Sequence, residues 1–210
     1  MKGKVIITIA RQFGSGGKEI GEKLAEKLGI PFYDKSLIQL AAKESGLDEE
    51  LFDYADEKVF HNFWTAASNS NSIFINNRFS LFNEMPMNDK LFIIQSNMIR
   101  KLASGGSCVI VGRCADYILR DDPNTVPVFI HSGEKERLDR VINTYRIPEK
   151  DAKDVMIKTD KRRAAYYNYY SGEKWGRADN YDLSINSGAV GIDGAVEIII
   201  KFAELKLGES

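Results

Sequence analysis

The stretch VIITIARQFGSGGKEIGEKLAEKLG, Val5 to Gly29, runs from a β-branched apolar segment through a glycine-rich turn into an amphipathic pattern. Val5 to Ala10 reads as a buried strand. Ile20, Leu24 and Leu28 recur at four-residue spacing with Glu22, Lys23, Glu26 and Lys27 on the opposite face, which predicts a helix that Gly29 stops at its C′ position. Between strand and helix, Gly14, Gly16 and Gly17 surround Ser15. Glycines there let the backbone approach an anion, while the N–H groups opening the helix point at it. The layout predicts a phosphate cradle over Gly14 to Lys18, with Lys18 and Arg11 as its cations and Glu19 at its rim. A complete Walker A turn reads GxxxxGK followed by Ser or Thr. With Lys18 as the lysine, its first glycine is Gln12 and its hydroxyl residue is Glu19, which leaves Ser15 as the candidate replacement hydroxyl.

Strand-like and helix-like stretches alternate through the rest of the chain, and this predicts a parallel sheet flanked by helices. Pro31 to Tyr33, Ser107 to Val111, Val126 to Ile130 and Tyr181 to Asn186 are the further expected strands. Helices are expected over Ser36 to Ser45, Asp89 to Ala103, Glu134 to Tyr145, Pro148 to about Tyr170 and Ile192 to Leu205, with a further one after Val111. Residues 48–88 differ, being rich in Asn, Ser and Phe, and read as a helical flap with an exposed loop at 68–72. At 210 residues the chain suits a single α/β domain, 1–210. A net charge of −1 gives no general pull toward nucleic acid or a membrane surface, so any anion site must be local. The apolar run before Arg11 is too short for a secretory signal, and no segment approaches the roughly 18 apolar residues of a membrane span, so a soluble cytoplasmic protein is expected. Cys108 and Cys114 with two distant histidines match no zinc spacing and read as reduced, buried small residues; no metal ligand set is expected.

Three blocks carry a family resemblance. ARQFGSGG at 10–17 with IPFYDKSLI at 30–38, VIVGRCADYIL at 109–119, and DKRRAAYYNYYSGEKWGRADNYDLSIN at 160–186 resemble the cytidylate kinase-like proteins, a divergent group related to nucleoside monophosphate kinases. The resemblance covers nearly the whole chain and is weakest between about 50 and 95. It implies a P-loop three-layer fold: a five-stranded parallel sheet flanked by helices, a helical acceptor-binding insert at 35–95 and a short lid at 146–180. It implies ATP as its magnesium complex, and a small phosphorylated acceptor such as CMP. Gap-free alignment with cytidylate kinases places Gly17 where their lysine stands and Lys18 one position later. Arg113 matches the acceptor-gripping arginine of the GR block, with Asp116 beside it. Asp160 and Arg163 fit the D-x-x-R spacing of the lid helix, where such residues bind acceptor and stabilise the moving phosphoryl group. The arginine that stands four positions earlier in those kinases is Met156 here. Arg137 and Arg140 match spaced arginines after the fourth strand, Asp34 matches an aspartate ending the second, and Lys35 stands where a base-reading serine would be.

Physical chemistry asks for the same kinds of residue. Phosphoryl transfer passes through a loose transition state whose spread negative charge is stabilised by positioned cations, so Lys18, Arg163, Arg137 and Arg140 are the catalytic candidates. Arg11, Gly14, Ser15, Gly16, Gly17, Lys18 and Glu19 are the candidates for ATP, and Asp34, Lys35, Arg113, Asp116, Asp160 and Arg163 those for the acceptor. Two other readings stay open: a nucleotide-binding regulatory module that has lost transfer, and a kinase acting on a non-nucleotide metabolite. Tyr166, Tyr167, Tyr169 and Tyr170 suit packing of the lid helix better than a nucleic-acid groove. His61 and His131 have no nucleophile pattern around them.

Overall fold

The computed structural model describes residues 3–36 and 85–208. Most of the flap expected at 48–88 and nearly all of the helix expected from Ser36 lie outside the described residues. Two compact units divide the chain, Met1–Lys35 with Arg100–Ser210, and Ser36–Ile99. In the smaller unit, Leu91, Ile94 and Met98 are buried along one helix at spacings of three and four, as a helix with one apolar face requires.

The larger unit is built on five strands: β1 (Ile6–Arg11), β2 (Phe32–Tyr33), β3 (Cys108–Val111), β4 (Thr125–His131) and β5 (Leu183–Asn186). All pair in parallel, in the order β2-β3-β1-β4-β5. Among the described residues the helices are α1 (Gly17–Leu28), α2 (Met87–Ser104), α3 (Ala115–Ile118), α4 (Glu134–Asn143), α5 (Glu149–Ser171) and α6 (Ser187–Lys206). A 3-10 turn at Ala178–Asn180 precedes β5, which therefore begins two residues later than the apolar pattern suggests. The last helix begins earlier than expected, because a kink at Gly191 (φ 73°, ψ 174°) joins a short opening turn to the long apolar segment. The helix expected after β3 is only four residues long.

β1, β3 and β4 are buried on both faces, which is why they read as unbroken apolar runs rather than alternating ones. One core layer joins Ile7, Ile9, Val109, Val111, Val128 and Ile130 to Ile20 and Leu24 of α1 and to Val196 and Ile199 of α6. Gly21 permits the close approach of α1: a β-carbon there would stand 2.9 Å from Val111 and 3.0 Å from Phe32. The connection leaving β1 travels to β2 on one side of the sheet, whereas that leaving β4 travels to β5 on the other. Their divergence opens a crevice at the carboxyl ends of β1 and β4, the place where open α/β sheets bind ligands. No helix among the described residues is long and apolar enough to cross a membrane.

Candidate active site

The turn after β1 is pinned from beneath. Gln12 N–H donates to the Ile130 carbonyl (3.0 Å), and the Ser15 hydroxyl donates to the carbonyls of Gln12 (2.9 Å) and Ile130 (3.2 Å). The Ser187 hydroxyl closes the other side, donating to the carbonyls of Ser15 (2.7 Å) and His131 (3.0 Å). Ser15 is thus a buried internal clamp, and its hydroxyl is committed to main-chain carbonyls. This corrects the expectation of Ser15 as a replacement Walker hydroxyl: the turn's own carbonyls compete for that O–H and hold it inside.

Above this base the main chain opens. Gly16 caps α1 in the left-handed region (φ 76°), a conformation that glycine adopts without steric cost. Among the described residues, the amides of Gly14, Gly16, Gly17, Lys18 and Glu19 donate to no internal acceptor, while the first helical bond runs from Ile20 N–H to the Gly16 carbonyl (2.9 Å). The cradle's donors are therefore available to an anion, reinforced by the positive end of α1.

Cations gather around this turn from five elements, α1, α4, α5, β1 and the end of β3. From α4, Arg137 Nε donates to the Phe13 carbonyl (2.8 Å) and its Nη2 pairs with Asp160 of α5. Asp160 also accepts the Phe13 N–H (2.7 Å), so both main-chain groups of Phe13 are held by one ion pair. Arg140 Nη1 pairs with Glu19 (2.7 Å), leaving its guanidinium beside Gly16. From α5, Arg163 Nη1 donates to the Arg11 carbonyl (2.8 Å), and its guanidinium lies over the Phe13 ring at 5.6 Å. Lys18 turns toward β2, pairing with Asp34 (3.0 Å) and more loosely with Glu22 (3.7 Å). The hydrogen bond to Asp34 raises the Lys18 pKa.

Arg11 and Arg113 complete the group. β3 empties into three successive left-handed residues, Gly112 (φ 81°), Arg113 (φ 60°) and Cys114 (φ 55°). Two non-glycine residues in that region store local strain of a kind that gathers at functional sites. The conformation presents Arg113 over the Tyr166 ring at 5.5 Å. Arg11 extends across to Gly112, where a β-carbon would stand 2.3 Å from its Nη1. Burial, then the charges of Arg163 and Arg113, push the Arg11 pKa down to about 9; Asp34 opposes them. Arg163 is also lowered, by burial first and against the pull of Asp160. Burial is the larger cause in both, and for Arg11 the neighbouring arginines add to it, so an anion placed beside these guanidinium groups would favour their charged form.

The remaining candidates fall elsewhere. Asp116 is buried on α3 beside Tyr167 and Tyr181, where burial pushes its pKa up to about 6. Among the described residues its Oδ2 has no hydrogen-bond partner, nor does the Tyr181 hydroxyl. Lys35 is exposed just past Asp34. Sequence reasoning missed Phe13 and Ser187. Phe13 packs on Tyr145 at 5.4 Å, and its main chain is the handle that Asp160 and Arg137 grip. Ser187 reads only as the first residue after a strand, and nothing local marks it as a clamp on Ser15.

A parallel sheet in the order 2-3-1-4-5, with an open glycine turn after the first strand and arginines closing over it, defines a P-loop kinase fold. Solved structures agree on that fold: a shikimate kinase from Bacteroides thetaiotaomicron (15% identity, TM-score 0.51, covering 95% of this chain and 98% of that one) and a gluconokinase from Sinorhizobium meliloti (16%, TM-score 0.55, 100% and 99%). An uncharacterized protein from Eubacterium ventriosum is more similar, at 33% identity and TM-score 0.71 over 96% of this chain and 99% of its own. Within that class the chain belongs to the cytidylate kinase-like family, whose model matches residues 6–189. A cytidylate kinase of Archaeoglobus fulgidus is 27% identical over 95% of both chains.

Proposed function

We propose that the protein transfers the γ-phosphoryl group of ATP to a small phosphorylated acceptor, with a nucleoside monophosphate such as CMP as the leading candidate. The observation that carries this reading is the open amides of Gly14 and of Gly16 to Glu19 with the Arg11 stem against Gly17, Arg163 on the Arg11 carbonyl and Arg113 as a charged neighbour of Arg11. A triphosphate in the cradle and an anionic acceptor against Arg113 would together favour the charged form of these guanidinium groups.

In the transfer, an acceptor oxygen forms the bond to the γ-phosphorus as the bond to the β,γ-bridging oxygen breaks, and ADP leaves with the electron pair. An ionised phosphate acceptor has no proton to lose. The cradle amides hold the β-phosphate side, while Arg163 and Arg140 stabilise charge as it moves between the oxygens. Arg137 and Asp160 act from behind, fixing Phe13 and therefore the turn. Closure by the segment 146–180 would exclude water and prevent futile hydrolysis.

Magnesium, arriving as the ATP complex, supplies further charge neutralisation and keeps several waters of its own. Asp34 and Glu19 could each contribute an oxygen.

One observation favours a different acceptor within the same chemistry: Lys35, where the resemblance places a base-reading serine, suits an anionic group better than a cytosine edge. Purified protein with Mg-ATP is assayed against nucleoside monophosphates and small hydroxy acids, following ADP and phosphorylated product. Product from CMP supports the first reading, and product only from a hydroxy acid supports the second. ATP binding without product from any acceptor would leave a nucleotide-binding module.

A further inference from the structure

We infer that Arg11 supplies the cation that a P-loop lysine supplies in other kinases, its side chain passing through the space left open at Gly17 to the γ-phosphate side of the cradle. This rests on the ATP-binding part of the function proposed above, and adds a residue role that the alignment alone does not give.

Three observations carry it. A β-carbon built on Gly17 would stand 2.6 Å from Arg11 Cβ and 2.8 Å from Arg11 Cγ. The stem of Arg11 thus fills the volume through which a side chain at position 17 would leave the helix. Position 17 is also where the gap-free alignment places the lysine of related kinases, so a lysine there and an arginine at 11 compete for one space. Secondly, Lys18 is directed elsewhere, its ammonium held by Asp34 at 3.0 Å near the end of β2. Thirdly, Arg11 ends in the right region and without a partner. Gly112 N–H bonds to the Ile9 carbonyl (3.0 Å), which sets the end of β3 beside the end of β1, and the Arg11 guanidinium lies against Gly112. Among the described residues it has no hydrogen bond and no ion pair, with Arg163, Arg113 and, opposing them, Asp34 as its charged neighbours.

A half-buried guanidinium with two arginines and one carboxylate as its charged neighbours suits an anion, and Arg11 runs from the cradle turn at Gly17 to the end of β3 at Gly112. Phosphate geometry suits the exchange, since a guanidinium offers a planar fork of donors where an ammonium offers a point charge. A side chain must start before the turn if it is to reach over it, and Arg11 is the last residue of β1.

The test separates the γ-phosphate from the rest of the nucleotide. Binding of a non-hydrolysable ATP analogue and of ADP, each with magnesium, is measured by calorimetry for wild type, Arg11→Ala, Arg11→Lys and Lys18→Ala, with thermal melting as the check on folding. Arg11→Ala is expected to weaken analogue binding at least tenfold and ADP binding less than threefold, with Arg11→Lys intermediate and Lys18→Ala less selective. In turnover with whichever acceptor is active, Arg11→Ala lowers kcat about 100-fold or more, and the double variant Arg11→Gly with Gly17→Lys recovers a measurable part. Equal loss for both nucleotides, or no loss in Arg11→Ala alongside a selective loss in Lys18→Ala, overturns the inference. Because binding is read without turnover, a protein that binds ATP but phosphorylates nothing still decides the role of Arg11, while the transfer proposal alone fails.

Discussion

Asp160 on α5 accepts the main-chain N–H of Phe13 at 2.7 Å, across 147 residues of sequence. The same carboxylate pairs with Arg137, whose Nε returns to the Phe13 carbonyl at 2.8 Å. One side chain thereby ties the long helix α5 to the glycine turn after β1.

Cutting this tie should cost both stability and nucleotide affinity. Asp160→Ala leaves Arg137 nearly buried without its counter-ion, a change of about 3 kcal/mol. Asp160→Asn keeps an acceptor for the Phe13 amide and should lose less. Urea denaturation gives the stability difference. An ATP affinity unchanged in Asp160→Ala would show that the turn holds its shape without the tie.

Filling the space above α1 should displace Arg11. In Gly17→Ala the new methyl meets Arg11 Cβ at 2.6 Å, and relief requires the arginine stem to move. Overpacking of this kind costs about 1–3 kcal/mol. The expected result is a modest fall in melting temperature with a much larger fall in ATP affinity. A variant that melts lower but binds ATP as wild type would contradict the crowding argument.

Asp116 gives a pH signature. Its folded pKa of about 6 exceeds the ordinary 3.8, so between those values the folded state binds more protons than the unfolded, and stability falls as pH rises through that window. The penalty is fully present above about pH 6 and absent below about pH 4, and amounts to roughly 3 kcal/mol from the pKa change. Asp116→Asn should therefore be more stable than wild type at pH 7, with the gap closing toward pH 4. Denaturation at a series of pH values reads this directly, and a constant gap would place the cause elsewhere.

Neither cysteine should react readily in the native state. Burial pushes the Cys108 thiol up to about 11 and raises Cys114 further, against the pull of Lys4 on the first and Arg113 on the second. Thiolate is the reactive form. A chromogenic disulfide reagent at pH 8 should label both only after denaturant is added, and rapid labelling of the native protein would mean that a thiol is open to solvent.

Much of the sheet was legible along the chain because its central strands are buried on both faces and read as continuous apolar runs. The glycine turn was legible because few other sequences empty such a run into three glycines and a helix. Boundaries shifted where local pattern and tertiary demand part, as at Tyr181, which joins the Phe129 and Ala10 cluster ahead of β5 instead of pairing within it. Side-chain roles were less legible. Ser15 has the chemistry of a metal ligand, but its hydroxyl is drawn inward by the Ile130 carbonyl of a strand 115 residues away. Lys18 has the charge of a P-loop lysine, but Asp34 stands near enough to hold it.

The sequence by itself determined the class of fold and the location of the anion cradle, since both depend on periodicity and on backbone freedom within a few neighbouring residues. The tertiary structure decided where each cation beside that turn points. Direction is a property of packing: the missing side chain at Gly17 makes room for the stem of Arg11, and the adjacency of β1 and β3 brings its guanidinium to Gly112. No reading of residue types along one chain contains those two distances.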